Sequence, residues 1–100
     1  MSEVNIEWKG MNPTSETKER MEEVLKTLKY LLPPDSDIKL LLEKYPKNFE
    51  GNIVVRSPLG DFAAHERHKD PFVLCKLLRK ILKQQIFKYR QTHSGWQRAA

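Results

Sequence analysis

Apolar and polar positions alternate with two different periods along the chain, and each change of period marks a new element. Residues 4–8 alternate with period two, which is typical of a strand with one buried face. An amphipathic helix is predicted over roughly residues 14–32, with Thr14 as its N-cap. Pro33 and Pro34 end it, because a helix rarely continues into proline. The apolar positions of this helix are Met21, Val24, Leu25, Leu28, Leu31 and Leu32.

The middle of the chain predicts three further strands. Residues 38–45 are apolar enough for a central strand; a short helix is the competing interpretation, since Leu and Lys are poor strand formers. The Pro and Asp residues on both sides of this segment favour the strand. Residues 49–56 and 61–66 alternate again, and the turn between them ends at Gly60, which can adopt a positive φ.

A second helix is predicted from Pro71 to Thr92. Asp70 is placed to cap it, and proline suits the first helical position. The positions expected to face the sheet are Leu74, Cys75, Leu78, Leu82, Gln85, Ile86 and Tyr89.

These elements predict an α+β fold with the order β-α-β-β-β-α. We expect two layers: a four-stranded mixed sheet, and two helices packed on one of its faces. The other face of the sheet is expected to be at least partly solvated. Residues 1–92 would form a single domain, and residues 93–100 a short flexible tail.

Charge is distributed unevenly over the 100 residues, whose net charge is +5. Residues 1–66 hold nine Lys/Arg against twelve Asp/Glu, whereas residues 67–100 hold nine Lys/Arg against Asp70 alone. Helical spacing places one group of cations on a single outward stripe, flanked by Arg79 and Lys88. The members of that stripe are Lys76, Lys80, Lys83 and Arg90. Such segregation favours a partner with a phosphate backbone, although a basic, solvated helix without a partner remains the alternative.

Few residues of the chain are arranged as a catalytic or metal-binding site would require. His65 and His68 are three residues apart, which is not the spacing of the H-E-x-x-H motif, and we expect no metal or other cofactor. The single cysteine, Cys75, excludes an internal disulfide and is expected to be a small core residue. We find no nucleophile and base arrangement, so neither an enzyme nor a small-molecule substrate is expected.

The cellular setting follows from what the sequence lacks. No apolar run reaches the ~18 residues that a membrane helix needs, and the first residues do not resemble a signal peptide. We therefore expect a cytoplasmic protein without a membrane partner. Phe87 and Trp96 either stack on nucleobases or are partly covered aromatic residues; the sequence favours neither reading.

Four segments resemble the bacterial ribosome hibernation-promoting factors, also called the ribosome-associated inhibitor family. The match covers roughly residues 4–92 and keeps the family's order and spacing. The segments are Asn5-Ile6-Glu7-Trp8-Lys9-Gly10, the helix from Thr14 to Leu25-Lys26-Thr27-Leu28, residues 60–70 around Phe62-Ala63-Ala64-His65, and Asp70-Pro71-Phe72 leading to Leu82-Lys83-Gln84-Gln85-Ile86-Phe87-Lys88-Tyr89-Arg90.

The resemblance implies a fold similar to double-stranded RNA-binding domains. It also implies binding to rRNA of the small ribosomal subunit in the mRNA and tRNA channel, which blocks translation in resting cells. Lys88 and Arg90 fall on basic positions of the family. Gln84 and Ile81 stand at positions where the family usually has basic residues. Other cations on the second helix are expected to compensate for these two missing charges. The predicted RNA-binding residues are Lys76, Arg79, Lys80, Lys83, Lys88, Arg90, Arg67 and Lys69.

Two other functions compete with this one. The chain could be a generic binder of structured RNA, or a protein-interaction module with an acidic partner. Off the ribosome, we expect a monomer.

Overall fold

A computed structural model describes residues 3–92 and contains the six predicted elements in the predicted order. The α+β fold is thereby confirmed. The elements are β1 (Glu3–Lys9), α1 (Ser15–Lys29), β2 (Asp37–Lys44), β3 (Phe49–Ser57), β4 (Gly60–His68) and α2 (Pro71–Thr92).

The four strands form one mixed sheet in the order β1-β2-β3-β4. β1 runs parallel to β2, and the remaining pairs are antiparallel. One row of the register pairs Ile6 with Leu40, Leu40 with Ile53, and Ile53 with Ala64. β2 is central and alternates between buried and exposed side chains, so the strand interpretation is confirmed over the short helix.

Both helices pack on the same face of the sheet and run in the same direction. Cys75 of α2 contacts Met21 of α1, and further along Arg90 contacts Leu31. The core between the layers is apolar: Met21, Leu25, Leu28, Leu32, Ile38, Leu40, Leu42, Ile53, Val55, Phe62, Leu74, Cys75, Leu78, Leu82 and Ile86. The opposite face of the sheet exposes most of its side chains, as predicted.

The predicted caps and turns are confirmed. The Thr14 side chain accepts a hydrogen bond from the Thr17 amide, and the Asp70 carboxylate accepts one from the Phe72 amide at 2.8 Å. Gly10 and Gly60 have φ angles of 77° and 142°, which other residues rarely adopt.

Two element boundaries differ from the prediction by two residues or more. α1 ends at Lys29 rather than near residue 32, and the Leu31 amide instead donates to the Leu28 carbonyl at 3.1 Å in a tighter turn. β4 continues to His68, since its last residue pairs with Phe49 at the start of β3.

Within residues 3–92, no helix is long and apolar enough to cross a bilayer. The tail predicted for residues 93–100, including Trp96, lies outside the described residues.

Candidate nucleic-acid interface on the helix layer

α2 carries six cations and no carboxylate over its 22 residues. Lys76, Lys80 and Lys83, here called the lysine stripe, lie on its outward side; the first two are exposed and Lys83 is half-buried. None of the three forms an ion pair with another residue in the part of the chain that the structure describes. The stripe therefore presents three ammonium groups that no described carboxylate approaches closely enough to form an ion pair.

The two arginines of α2 turn toward α1 instead of pointing outward. Arg79 Nη1 donates to the Val24 carbonyl at 3.4 Å, and Arg90 Nη2 donates to the Leu31 carbonyl at 2.6 Å. Both side chains are half-buried. The prediction that Arg90 shares the outward stripe is therefore wrong in its orientation: its long side chain reaches a carbonyl left open just beyond the end of α1.

Lys88 is exposed but lies on another side of α2, five residues past Lys83 and away from the lysine stripe. Gln85, which was predicted to face the sheet, has a structural role: its side-chain amide donates to the Ala63 carbonyl of β4 at 2.8 Å. This contact ties α2 to the edge strand of the sheet.

The helix layer is polarised along its length. All four carboxylates of α1 precede Val24, whereas the only charged residues after it are Lys26 and Lys29. Because the helices run in the same direction, the cation-only end of α1 lies beside the C-terminal half of α2. The predicted RNA-binding residues on the helices all belong to α2, and only the relative direction of the helices shows that Lys26 and Lys29 of α1 lie beside them.

Two aromatic side chains are exposed at this same end of the layer. Tyr30, the C-cap of α1, is 87% exposed, and Phe87 of α2 is 45% exposed. The Arg90 guanidinium carbon lies 5.9 Å from the centre of the Phe87 ring, within cation–π range. Phe87 is thus partly covered by Arg90 while much of it stays open to solvent.

Near the helix N-termini, a shallow groove separates α1 from α2. Arg20 lies 5.6 Å from the centre of the Phe72 ring, and Lys76 and Arg79 line the same groove beside Glu23. Glu23 brings a carboxylate to this end of the layer, so its charge is mixed. Arg20 was not predicted to belong to the site, because its own helix is acidic in this region.

Arg67 and Lys69 are not brought together with the lysine stripe. Arg67 lies on the open face of the sheet, where its Nε is 3.4 Å from one carboxylate oxygen of Glu50 and His65 Nε2 is 2.6 Å from the other. The hydrogen bond with His65 lowers the pKa of the Glu50 carboxyl. Lys69 is exposed in the turn before α2. These two cations are separate from the helix face.

The remaining candidate groups have structural roles. His68 Nδ1 accepts a hydrogen bond from the Asp70 amide at 2.9 Å, and no metal-binding cluster occurs among residues 3–92. Cys75 lies in the core with its Sγ 3.1 Å from the Met21 sulfur, and burial raises the pKa of its thiol to about 12. Its predicted role as a small core residue is confirmed.

Comparison with known proteins supports this architecture. No protein-family model matches the chain, and no curated protein matches it significantly. Among solved structures, the N-terminal domain of Protein Y from Thermus thermophilus is similar, with a TM-score of 0.75 and 20% identity, covering 87% of this chain and 96% of that one. A ribosomal subunit interface protein from Coxiella burnetii has a TM-score of 0.74 and 19% identity, covering 91% and 99%. The likeness confirms the fold that the sequence resemblance implies.

Proposed function

We propose that this protein is a cytoplasmic ribosome-associated translation inhibitor. In this proposal it binds rRNA of the small subunit as a monomer and occludes the mRNA and tRNA channel in resting cells. The observation that carries the proposal is the lysine stripe: three cations without a described carboxylate partner, on a helix that has no acidic residue. Support for the ribosome as partner comes from the fold, which it shares with a ribosomal subunit interface protein.

The geometry of the stripe suits a phosphate backbone. From Lys76 to Lys83 the helix rises by about 10 Å, so the three ammonium groups are spread along a line and can meet separate phosphates. Each phosphate that is neutralised releases counterions, which gives binding a strong dependence on salt. The sheet behind α2 holds this line of charges rigid.

The proposed action is steric and requires no chemical step. The domain is elongated, with principal extents of 47 × 23 × 16 Å. A rigid body of this size that is held by its helix face would exclude mRNA and tRNA from the volume it occupies.

The dependence of small-subunit binding on salt tests the role of the stripe. We expect Lys76→Gln, Lys80→Gln and Lys83→Gln each to weaken binding modestly and to reduce the slope of log affinity against log salt by about one. A matched control replaces Lys39, Lys44 and Lys47, which are all exposed but lie on β2 and the turn after it.

Three results would argue against the proposal. Equal loss of binding in the control variants would mean that net charge, rather than the stripe, drives recognition. Equal competition by small subunits and by unrelated duplex RNA would favour a generic binder of structured RNA. Capture of a partner that survives nuclease treatment, without ribosomes, would favour an acidic protein partner.

A further inference from the structure

We propose that Tyr30 and Phe87 form a base-stacking platform, so that the RNA segment contacted at this end of the helix layer is single-stranded. The inference rests on the proposed function and specifies the kind of RNA that is bound. The lysine stripe can bind any phosphate backbone, whereas this platform binds only unpaired bases. The platform consists of these two aromatic side chains together with the cations around them, Lys26, Lys29, Lys83 and Arg90.

Exposure of both rings is the first observation. Tyr30 has 87% of its surface open and Phe87 has 45%, whereas Trp8 and Phe72 elsewhere in the fold are partly buried against the core. Leaving an aromatic ring in water forfeits the free energy that burial would supply. Neither Tyr30 nor Phe87 belongs to the described core, to which the same two helices contribute Leu28, Leu82 and Ile86.

The second observation places the two rings at the same end of the helix layer. The parallel helices bring the end of α1 next to the last turns of α2, where Arg90 donates to the Leu31 carbonyl at 2.6 Å. The same guanidinium lies 5.9 Å from the centre of the Phe87 ring. Arg90 therefore links the residue that follows Tyr30 to the ring of Phe87, and it holds that ring in place before any ligand arrives.

The third observation is the charge around the rings. No carboxylate occurs in α2, and after Glu23 of α1 the next carboxylate along the chain is Asp35, beyond the groove-lining Pro34. Lys26 and Lys29 line a shallow groove with Tyr30 at the end of α1, and Lys83 lies one turn before Phe87 on α2. An apolar protein partner would have to desolvate these cations, whereas single-stranded RNA offers phosphates to the cations and a π-face to each ring.

Stacking on aromatic side chains is how many proteins bind single strands without sequence preference. Duplex RNA keeps its bases stacked inside the helix and cannot use the rings. The platform therefore predicts a preference for unpaired over paired RNA that the lysine stripe alone would not produce.

The test uses two probes with equal numbers of phosphates, a short oligouridylate and an abasic strand of the same length. Fluorescence anisotropy at fixed salt should show tighter binding of the oligouridylate by the unmodified protein. Tyr30→Ala and Phe87→Ala should each reduce oligouridylate affinity by roughly tenfold while leaving abasic affinity unchanged. Tyr45→Ala, which removes a 42%-exposed aromatic residue on the far side of the fold, should change neither.

Phe87→Leu separates stacking from packing, because it keeps an apolar side chain under Arg90 and lacks the π-face. It should lose the base preference while retaining the thermal unfolding midpoint. Equal binding of the two probes by the unmodified protein would overturn the platform. So would full retention of the preference for oligouridylate in Phe87→Leu and Tyr30→Ala. Neither result would change the outcome of the salt-slope test of ribosome binding. Binding of oligoglutamate in place of both strands would overturn it as well and would assign this face to an acidic protein.

Discussion

Gly51 and Leu78 show how closely α2 approaches the sheet. Leu78 is fully buried, and a Cβ built on Gly51 of β3 would lie 2.9 Å from the Leu78 Cδ1 atom. Leu74 and Leu42 crowd the same point at 3.3 Å and 3.4 Å. The missing side chain at position 51 is thus the space into which α2 packs.

Truncation of Leu78 tests the packing of α2. Leu78→Ala should reduce the free energy of unfolding by about 2–5 kcal/mol, since it removes a buried side chain and leaves a cavity. Urea unfolding measures the loss, with Leu77→Ala as control because the neighbouring Leu77 is only half-buried. Similar losses in the two variants would contradict the helix register.

Adding a methyl group at position 51 tests the same contact from the other side. Gly51→Ala should destabilise the fold by about 1–3 kcal/mol, the usual cost of overpacking. In a protein that already carries Leu78→Ala, the added methyl group enters the space vacated by Leu78, so the second substitution should cost less. A double-mutant cycle in urea measures this coupling, and strict additivity would show that the two positions do not touch.

Glu50 gives the open face of the sheet a pH dependence. Its pKa is lowered by the hydrogen bond with His65, so its stabilising contribution is present above the ordinary pKa of 4.5 and is lost as pH falls through the lowered value. When the pH is lowered from about 6 to about 3, the free energy of unfolding should therefore fall less in Glu50→Gln than in the unmodified protein. Thermal unfolding at both pH values measures the difference, with Glu22→Gln on α1 as the control; identical losses in Glu50→Gln and the unmodified protein would contradict the account.

At the level of elements, the two helices are joined by arginine contacts as well as by apolar packing. Arg79 and Arg90 of α2 each donate to a carbonyl of α1 or of the turn after it. The Cys75–Met21 contact supplies the buried part of the same junction. These contacts fix the relative position of α1 and α2, and with it the shape of the proposed RNA-binding face.

Removal of Arg90 should destabilise the fold, whereas removal of a stripe lysine should not. Arg90→Ala is expected to reduce the free energy of unfolding by about 1.5–3 kcal/mol, because it deletes a charged hydrogen bond to the Leu31 carbonyl. Lys80→Ala removes one exposed charge on the same helix and should change stability by less than about 0.5 kcal/mol. Equal effects in chemical unfolding would contradict the placement of Arg90 between the helices.

The hydrophobic periodicity predicted the helices and strands because their capping and turn signals depend on residues that are close in sequence. The caps at Thr14 and Asp70 and the turn at Gly60 depend on residues close in sequence, so all three could be predicted. The extension of β4 to His68 depends on pairing with Phe49, which is nineteen positions earlier. The alternation of apolar and polar residues within β4 therefore cannot predict that pairing.

The site was harder to predict than the fold. Helical spacing correctly placed Lys76 and Lys80 on the outward side of α2. It could not show that Arg90 turns toward α1, because the open carbonyl of Leu31 belongs to another element. Nor could it place Tyr30 and Phe87 at the same end of the helix layer, since that placement follows from the parallel direction of the two helices.

On the scale of the whole molecule, charge is divided between the two layers. The helix face gathers cations without carboxylates toward its C-terminal end, whereas the open face of the sheet mixes charges of both signs, as where Glu50 meets His65 and Arg67. A partner with a negative backbone is therefore expected to meet the helices, and the sheet is expected to face away from it.

Co-sedimentation with salt-washed small ribosomal subunits is the decisive experiment for ribosome binding through the lysine stripe. At low salt the unmodified protein should sediment with the subunits, as should the control with Lys39, Lys44 and Lys47 replaced by Gln. The variant with Lys76, Lys80 and Lys83 replaced should remain near the top of the gradient while unfolding at the same urea concentration as the unmodified protein. If the unmodified protein itself stays at the top at low salt, or if the stripe variant sediments as fully as the control, the proposed ribosome binding through the lysine stripe is wrong.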